Sequence, residues 1–235
     1  AVYKYPQTRK KAMKAKKVNL KFFPEGGNLV KGVPSQVAFE ATDAYGNPIT
    51  LFGRIINRRK EEIGHFATIH EGRGVFTYIP TGEDADKAEV ELGGKKYRFD
   101  LPEVRSQGYV LHVDNLTSED SIAVSVQKNT YTPSNLLGLA VIAHGKLLNS
   151  CLLNVGKNTP VSFKLDKSEW TPGVVQLVLF DTAGQIIADR LVFTRKPELL
   201  VVDVRKSKES YQPFERVTLD FSVRDTTGNP VSTPM

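Results

Sequence analysis

Cysteine is nearly absent from this chain. Cys151 is the only one in 235 residues, which excludes an intrachain disulfide framework and any metal centre built from thiolates. No apolar run approaches the ~18 residues that a bilayer-spanning helix needs. The basic N-terminus is not followed by the apolar stretch of a signal peptide, so any export signal is expected to lie outside these residues. Histidine is scarce too, and the four residues do not pair. His65 and His70 are five apart, which on a strand puts them on opposite faces, and His112 and His144 fall in separate strands. A sustained helical stripe is missing everywhere; the most helical piece is one turn near Asp166–Trp170.

The formal net charge of +6 points to a polyanion only until it is located. Residues 1–17 carry Lys4, Arg9, Lys10, Lys11, Lys14, Lys16 and Lys17 and no acid, which leaves 25 of the 32 basic residues against 26 acidic ones in the rest. A near-neutral body with a basic lead-in lacks the basic face with interleaved aromatics of a nucleic-acid binder, so no nucleic-acid partner is expected. Residues 1–17 read as a solvated linker or edge strand.

What the chain has in quantity is short alternating runs punctuated by turns. Val217, Leu219, Phe221 and Val223 alternate with Thr218, Asp220, Ser222 and Arg224, the period of a strand with one buried and one wet face. Asp225-Thr226-Thr227-Gly228 then suits a type I turn, and Asn229-Pro230 starts the next extended run. The same sequence of events occurs at Val37–Thr42, Asp43, Gly46, Asn47 and Pro48. Asp181-Thr182-Ala183-Gly184 repeats the turn alone.

Between Val18 and Leu101 the spacing predicts strands at Val18–Phe23, Leu29–Val30, Gln36–Thr42, Ile49–Ile56, Ile63–His70, Val75–Ile79, Ala88–Leu92 and Lys95–Leu101. The Gly93-Gly94 pair marks a tight hairpin. Pro102–Gly108 reads as a break. Seven further strands follow at Tyr109–Val113, Ile122–Gln127, Leu136–Ala143, Lys146–Val155, Val161–Leu165, Val174–Phe180 and Gln185–Phe193. A second break falls at Arg195-Lys196-Pro197-Glu198. Asp43 and Asp225 are 182 residues apart, two periods of 91. A repeat of that length made only of strands predicts an all-β array of immunoglobulin-like antiparallel sandwiches of about seven strands each, behaving as beads with modest interfaces. The expected units are a lead-in at 1–17, sandwiches at 18–103 and 104–197, and the first strands of a third, cut short, at 198–235.

Little in the chain reads as reaction chemistry, and no enzyme is expected. Glu83, Asp84 and Asp86 supply a partial set of oxygens for calcium, although a solvated hairpin tip is the ordinary reading of that loop. Glu25-Gly26-Gly27-Asn28 and Gly72-Arg73-Gly74 lack a following helix that could receive a phosphate, so they are turns. Phe22, Phe23, Phe39, Phe66, Phe76, Tyr78 and Phe99 fall mostly at alternating positions and read as core. Cys151 reads as a buried structural thiol. Trp170 is a candidate sugar-stacking contact, or else the cover of one end of a sandwich.

An ordered set of stretches resembles the macroglobulin-like domains of the alpha-2-macroglobulin superfamily in their bacterial, Bacteroidetes-type form. The stretches are Phe23–Gly32, Val37–Asp43 with Gly46-Asn47-Pro48-Ile49, His70–Phe76, Leu177–Asp181 with Gly184, and Asp189–Phe193. Tyr211-Gln212-Pro213-Phe214-Glu215 resembles the family's domain-opening motif. The resemblance implies a long exported chain of sandwiches at the periplasm or outer-membrane surface of a Gram-negative bacterium, with any membrane anchor outside these residues. It also implies neighbouring domains of the same chain as partners, together with a protease or another envelope protein. The family's thioester, a Cys followed closely by Glu-Gln, is absent: Cys151 is followed by Leu152-Leu153-Asn154. No bait region is recognisable and no cofactor is implied. The alternative is a carbohydrate- or protein-binding sandwich of an uptake or adhesion system.

Overall fold

Alternation shapes the first sheet. The computed structural model describes residues 18–82, 86–156, 159–195 and 200–231. Its first nine strands are β1 (Val18–Pro24), β2 (Leu29–Val30), β3 (Ser35–Asp43), β4 (Phe52–Ile56), β5 (Glu62–Ala67), β6 (Arg73–Tyr78), β7 (Lys87–Leu92), β8 (Lys95–Asp100) and β9 (Val104–Arg105). Along β3, Val37, Phe39 and Ala41 are buried while Ala38 and Glu40 face outward. Strands β1-β3-β6 form one antiparallel sheet and β5-β4-β7-β8 the opposing one. Between them the rings of Phe22, Phe39, Phe66 and Phe76 meet with centroids 4.9 to 6.5 Å apart, mostly tilted or edge-on, the arrangement ring quadrupoles favour. Gly53 in β4 makes room for this cluster, since a Cβ there would lie 2.3 Å from the Phe66 ring.

The second sandwich is wired in the same order. Its strands are β10 (Tyr109–Asp114), β11 (Ser121–Lys128), β12 (Leu136–Ala143), β13 (Lys146–Asn154), β14 (Val161–Asp166), β15 (Gly173–Phe180) and β16 (Ile186–Thr194). Sheets β10-β11-β14 and β13-β12-β15-β16 repeat the three-plus-four arrangement strand for strand. Leu111, Ile122, Leu137, Leu139, Leu177 and Leu179 fill the core between them. A last antiparallel pair, β17 (Val201–Lys206) and β18 (Leu219–Arg224), repeats the opening of each sandwich, so that β1, β10 and β17 begin at 18, 109 and 201. Val204 and Phe221 sit opposite each other on this pair and both are exposed, because two strands cannot bury a core.

Three local expectations are corrected. The segment near Asp166–Trp170 is not helical but a single tight turn, closed by the Trp170 amide on the Lys167 carbonyl at 3.0 Å. Among the described residues the helical piece is instead a three-residue 3-10 turn, Glu25–Gly27. Phe23 is 52% exposed, since it faces outward on β1 next to the core residue Phe22. Finally, the break at 102–108 is not a bare linker: β9 pairs in parallel with β2.

Candidate functional site

The most elaborate polar construction among the described residues lies where the two sandwiches meet. Pro24 ends β1, and Gly26 and Gly27 at φ 72° and 87° turn the chain sharply. That turn presents Glu25 to the second sandwich, where its side chain is only 8% exposed. Glu25 Oε1 accepts hydrogen bonds from the Val113 amide (3.1 Å) and from Arg190 Nε (3.0 Å), and Oε2 lies 2.6 Å from His112 Nδ1. The approach is close: a Cβ on Gly26 would come within 3.3 Å of the Ala188 Cβ. Asn28 Nδ2 donates to the Ile187 carbonyl at 3.1 Å.

Beside this clamp the backbone itself is stitched. Leu29 and Val30 pair with Val104 and Arg105, and the Lys31 amide donates to the Arg105 carbonyl at 2.9 Å. Val30, Val33 and Val110 bury one another beneath the ladder. From the loop after β11, Asn129 Nδ2 donates to the carbonyls of Ser106 (2.7 Å) and Lys31 (3.2 Å), tying linker and first sandwich to the second. That loop is fixed by Lys128, whose fully buried ammonium donates to the Thr132 and Ser134 carbonyls (2.7 and 3.0 Å) and to Asn135 Oδ1 (2.5 Å). Three acceptors satisfy all three of its donors. Sequence reasoning missed Glu25, Asn129 and Lys128, because each is an ordinary polar residue in a turn or strand end.

The turn residues read from sequence do come together, each set in its own turn. Asp43 Oδ1 accepts from the amides of Tyr45 and Asn47 (2.8 and 2.9 Å), and Asn47 Nδ2 donates to Oδ2 at 2.9 Å. The Asn47 side chain chiefly holds the Asp43 carboxyl below its usual range. Gly46 supplies the left-handed residue before Pro48 bridges back to Thr42. Asp225 repeats this with Thr227 and Asn229 (2.9 and 2.8 Å), with Gly228 and Pro230 in the same places. The Thr227 hydroxyl chiefly lowers the Asp225 carboxyl. Asp181 accepts from the amides of Ala183 and Gln185, 2.9 Å each, with Gly184 left-handed. A fourth copy went unread: Asn57 accepts from Arg59 and Glu61, 2.9 Å each, and Lys60 occupies the glycine position at φ 64°. Tyr211 and Pro213 lie in the β17–β18 connection, where the Tyr211 hydroxyl lies 3.0 Å from Ser207 Oγ.

The remaining candidates are separated. Glu83 and Asp84 lie outside the described residues. Asp86 is buried and accepts from the Tyr78 hydroxyl (2.5 Å) and the Thr81 hydroxyl (3.2 Å), a structural role. Burial, and then this carboxylate, push the Tyr78 phenol well above its ordinary value. Trp170 is 6% exposed and packs in the second core, so it presents no ring face for stacking a sugar. Cys151 is half-buried against that core rather than fully buried, and burial raises its thiol above the usual value, which disfavours the nucleophilic thiolate. Among the described residues, no three His, Cys, Asp or Glu side chains group around a common point for a metal.

One further charged group stands out on the outer face of the first sandwich. Glu89 is covered by Arg54 (2.6 Å) and Arg98 (2.9 Å), its cross-strand neighbours on either side, with Lys96 at 3.7 Å. The Arg54 hydrogen bond first, and then that of Arg98, hold its carboxyl at about 2.

No family description and no curated protein matches the chain. Among solved structures, alpha-2-macroglobulin of E. coli in its native conformation is similar over 89% of this chain, with 14% identity and a TM-score of 0.27. Invasin, a bacterial integrin-binding protein, is similar over 92%, with 14% identity and a TM-score of 0.29. The chain spans 17% of the former and 48% of the latter. Likeness at this level carries over no site residue.

Proposed function

We propose that the chain is a non-enzymatic structural and interaction segment, in which tandem sandwiches at 18–103 and 104–197 form one stiff strut and 198–235 opens the next unit. The carrying observation is the Glu25 clamp. Its carboxylate engages an amide, an imidazole and a guanidinium of the second sandwich while nearly removed from water. Beads on a string would have no use for such a joint; a spacer that must hold two faces in fixed relation would.

The resemblance of the turn and strand motifs supports reading this strut as part of a long macroglobulin-like envelope protein of a Gram-negative, Bacteroidetes-type bacterium, at the periplasm or outer-membrane surface. Neighbouring domains are then its first partners, and protease inhibition or surface defence belongs to the whole protein. Small-angle scattering tests the mechanical part. The chain should give the profile of one fixed arrangement, and Glu25→Ala should broaden its distance distribution. A wild-type profile that already needs an ensemble of orientations sinks the strut.

A further inference from the structure

The two sandwiches share their wiring but not the chemistry of their outer faces. On the four-stranded sheet of the first, the row His65, Arg54, Glu89, Arg98 runs across the strands, a ladder of charge. The corresponding sheet of the second carries Leu152, Gly138, Phe180 and Ile186 in one cross-strand row and Leu147, Ile142, Gln176 and Leu191 in another. Val174 and Phe193 form a third pair. These side chains lie opposite the core side, which Leu137, Leu139, Leu177 and Leu179 fill. Leu152 is 76% exposed, Ile186 68% and Leu147 62%. A sandwich of the same sheet order stands beside it with an outer face built around this charged row, Phe52 apart, so nothing in the architecture demands so apolar a surface.

We propose that this outer face is the docking surface for a second copy of the chain. Three observations select that occupant. The first is size. Leu147, Leu152, Val174, Ile186, Leu191 and Phe193 together expose on the order of 650 Å², near the ~800 Å² that each partner contributes to a standard interface. The second is shape. A Cβ at Gly138 would lie 2.2 Å from the Phe180 ring, so that ring lies flat across the sheet and fills the hollow the glycine leaves. The face is filled rather than hollowed at that point, and a second sheet of the same twist lies on it as the two sheets of a sandwich do. The third is charge. Between the two apolar rows runs a third, Ser150, Ala140, Val178 and Asp189, whose one carboxylate accepts a hydrogen bond from Gln176 Nε2 at 3.2 Å. A twofold contact of the face with itself brings no array of like charges together, and no charge pattern marks a different partner.

Sedimentation equilibrium of the whole 235-residue chain tests this. A wild-type dimer in the micromolar range is expected. Leu152→Glu and, separately, Leu191→Glu should each weaken it at least about 100-fold, because twofold symmetry buries two unpaired carboxylates per dimer. Both positions are exposed in the monomer, so circular dichroism and melting temperature should stay at wild-type values. Phe221→Glu, on the uncovered β17–β18 pair, and Phe52→Glu, on the first sandwich, should leave dimerisation unchanged. A wild-type chain still monomeric at about 200 μM, where a standard-size interface would be occupied, overturns the proposal. So does a dimer that survives both leucine variants or is abolished by Phe221→Glu. The strut is judged by the shape of the single chain, so the two proposals fail separately.

Discussion

The carboxylate of Glu25 lies 3.0 Å from Nε of Arg190, a residue 165 positions further along the chain. The pair joins the end of the first strand of one sandwich to the last strand of the next. A double-mutant cycle between Glu25→Gln and Arg190→Gln should return a coupling of about 1 kcal/mol, the scale of a charge-assisted bond between a covered and a half-exposed group. Additive single effects would show that the contact holds nothing together.

Composition marks 102–108 as a site for proteolysis, but the ladder and Asn129 protect it. Limited digestion of the wild type should spare Arg105, while Asn129→Ala, which releases the Ser106 and Lys31 carbonyls, should admit trypsin there. Rapid wild-type cleavage at Arg105 would count against the joint. Local opening governs such cleavage, so the rate reads the stability of the joint rather than of either sandwich.

The Glu89 carboxyl is held at about 2 in the folded chain, against an ordinary 4.5. A group depressed in this way contributes its full stabilisation above its unfolded value and loses it as pH falls through the folded one. Unfolding free energy of the wild type should therefore drop between about pH 4.5 and 2, and Glu89→Gln should flatten that part of the curve. Parallel curves for the two proteins would exclude Glu89 as a contributor.

Lys60 holds the left-handed position that glycine fills in the three sister turns. Lys60→Gly should raise stability by about 1 kcal/mol by removing the steric cost of a Cβ there. Gly46→Ala at φ 83° should lower it by a similar amount. Thermal melts of both variants decide the matter, and a Lys60→Gly protein that melts lower would mean the side chain itself supports the turn.

The fold was legible because its signals are local. Period-two burial along Val37–Ala41 and the Asp-x-x-Gly turns at 43, 181 and 225 each need only a few residues to declare themselves. The site was not, because its parts are remote: nothing near Glu25 indicates an arginine 165 residues away, and nothing near Ser106 indicates Asn129. Phe23 misled for a related reason. A strand can carry an aromatic on its wet face, and alternation alone does not say which neighbour is inside. The Asn57 turn was invisible because its left-handed residue is lysine.

The Glu25–Arg190 contact also fixes an order of events during synthesis. Glu25 belongs to the first strand connection of the first sandwich, and Arg190 to the last strand of the second. At ~5–20 residues per second the ribosome delivers the guanidinium on the order of ten seconds after the carboxylate, by which time the first sandwich can already be folded. The joint is thus the seam that closes last, and a second sandwich that fails to complete β16 leaves Glu25 open on a finished neighbour.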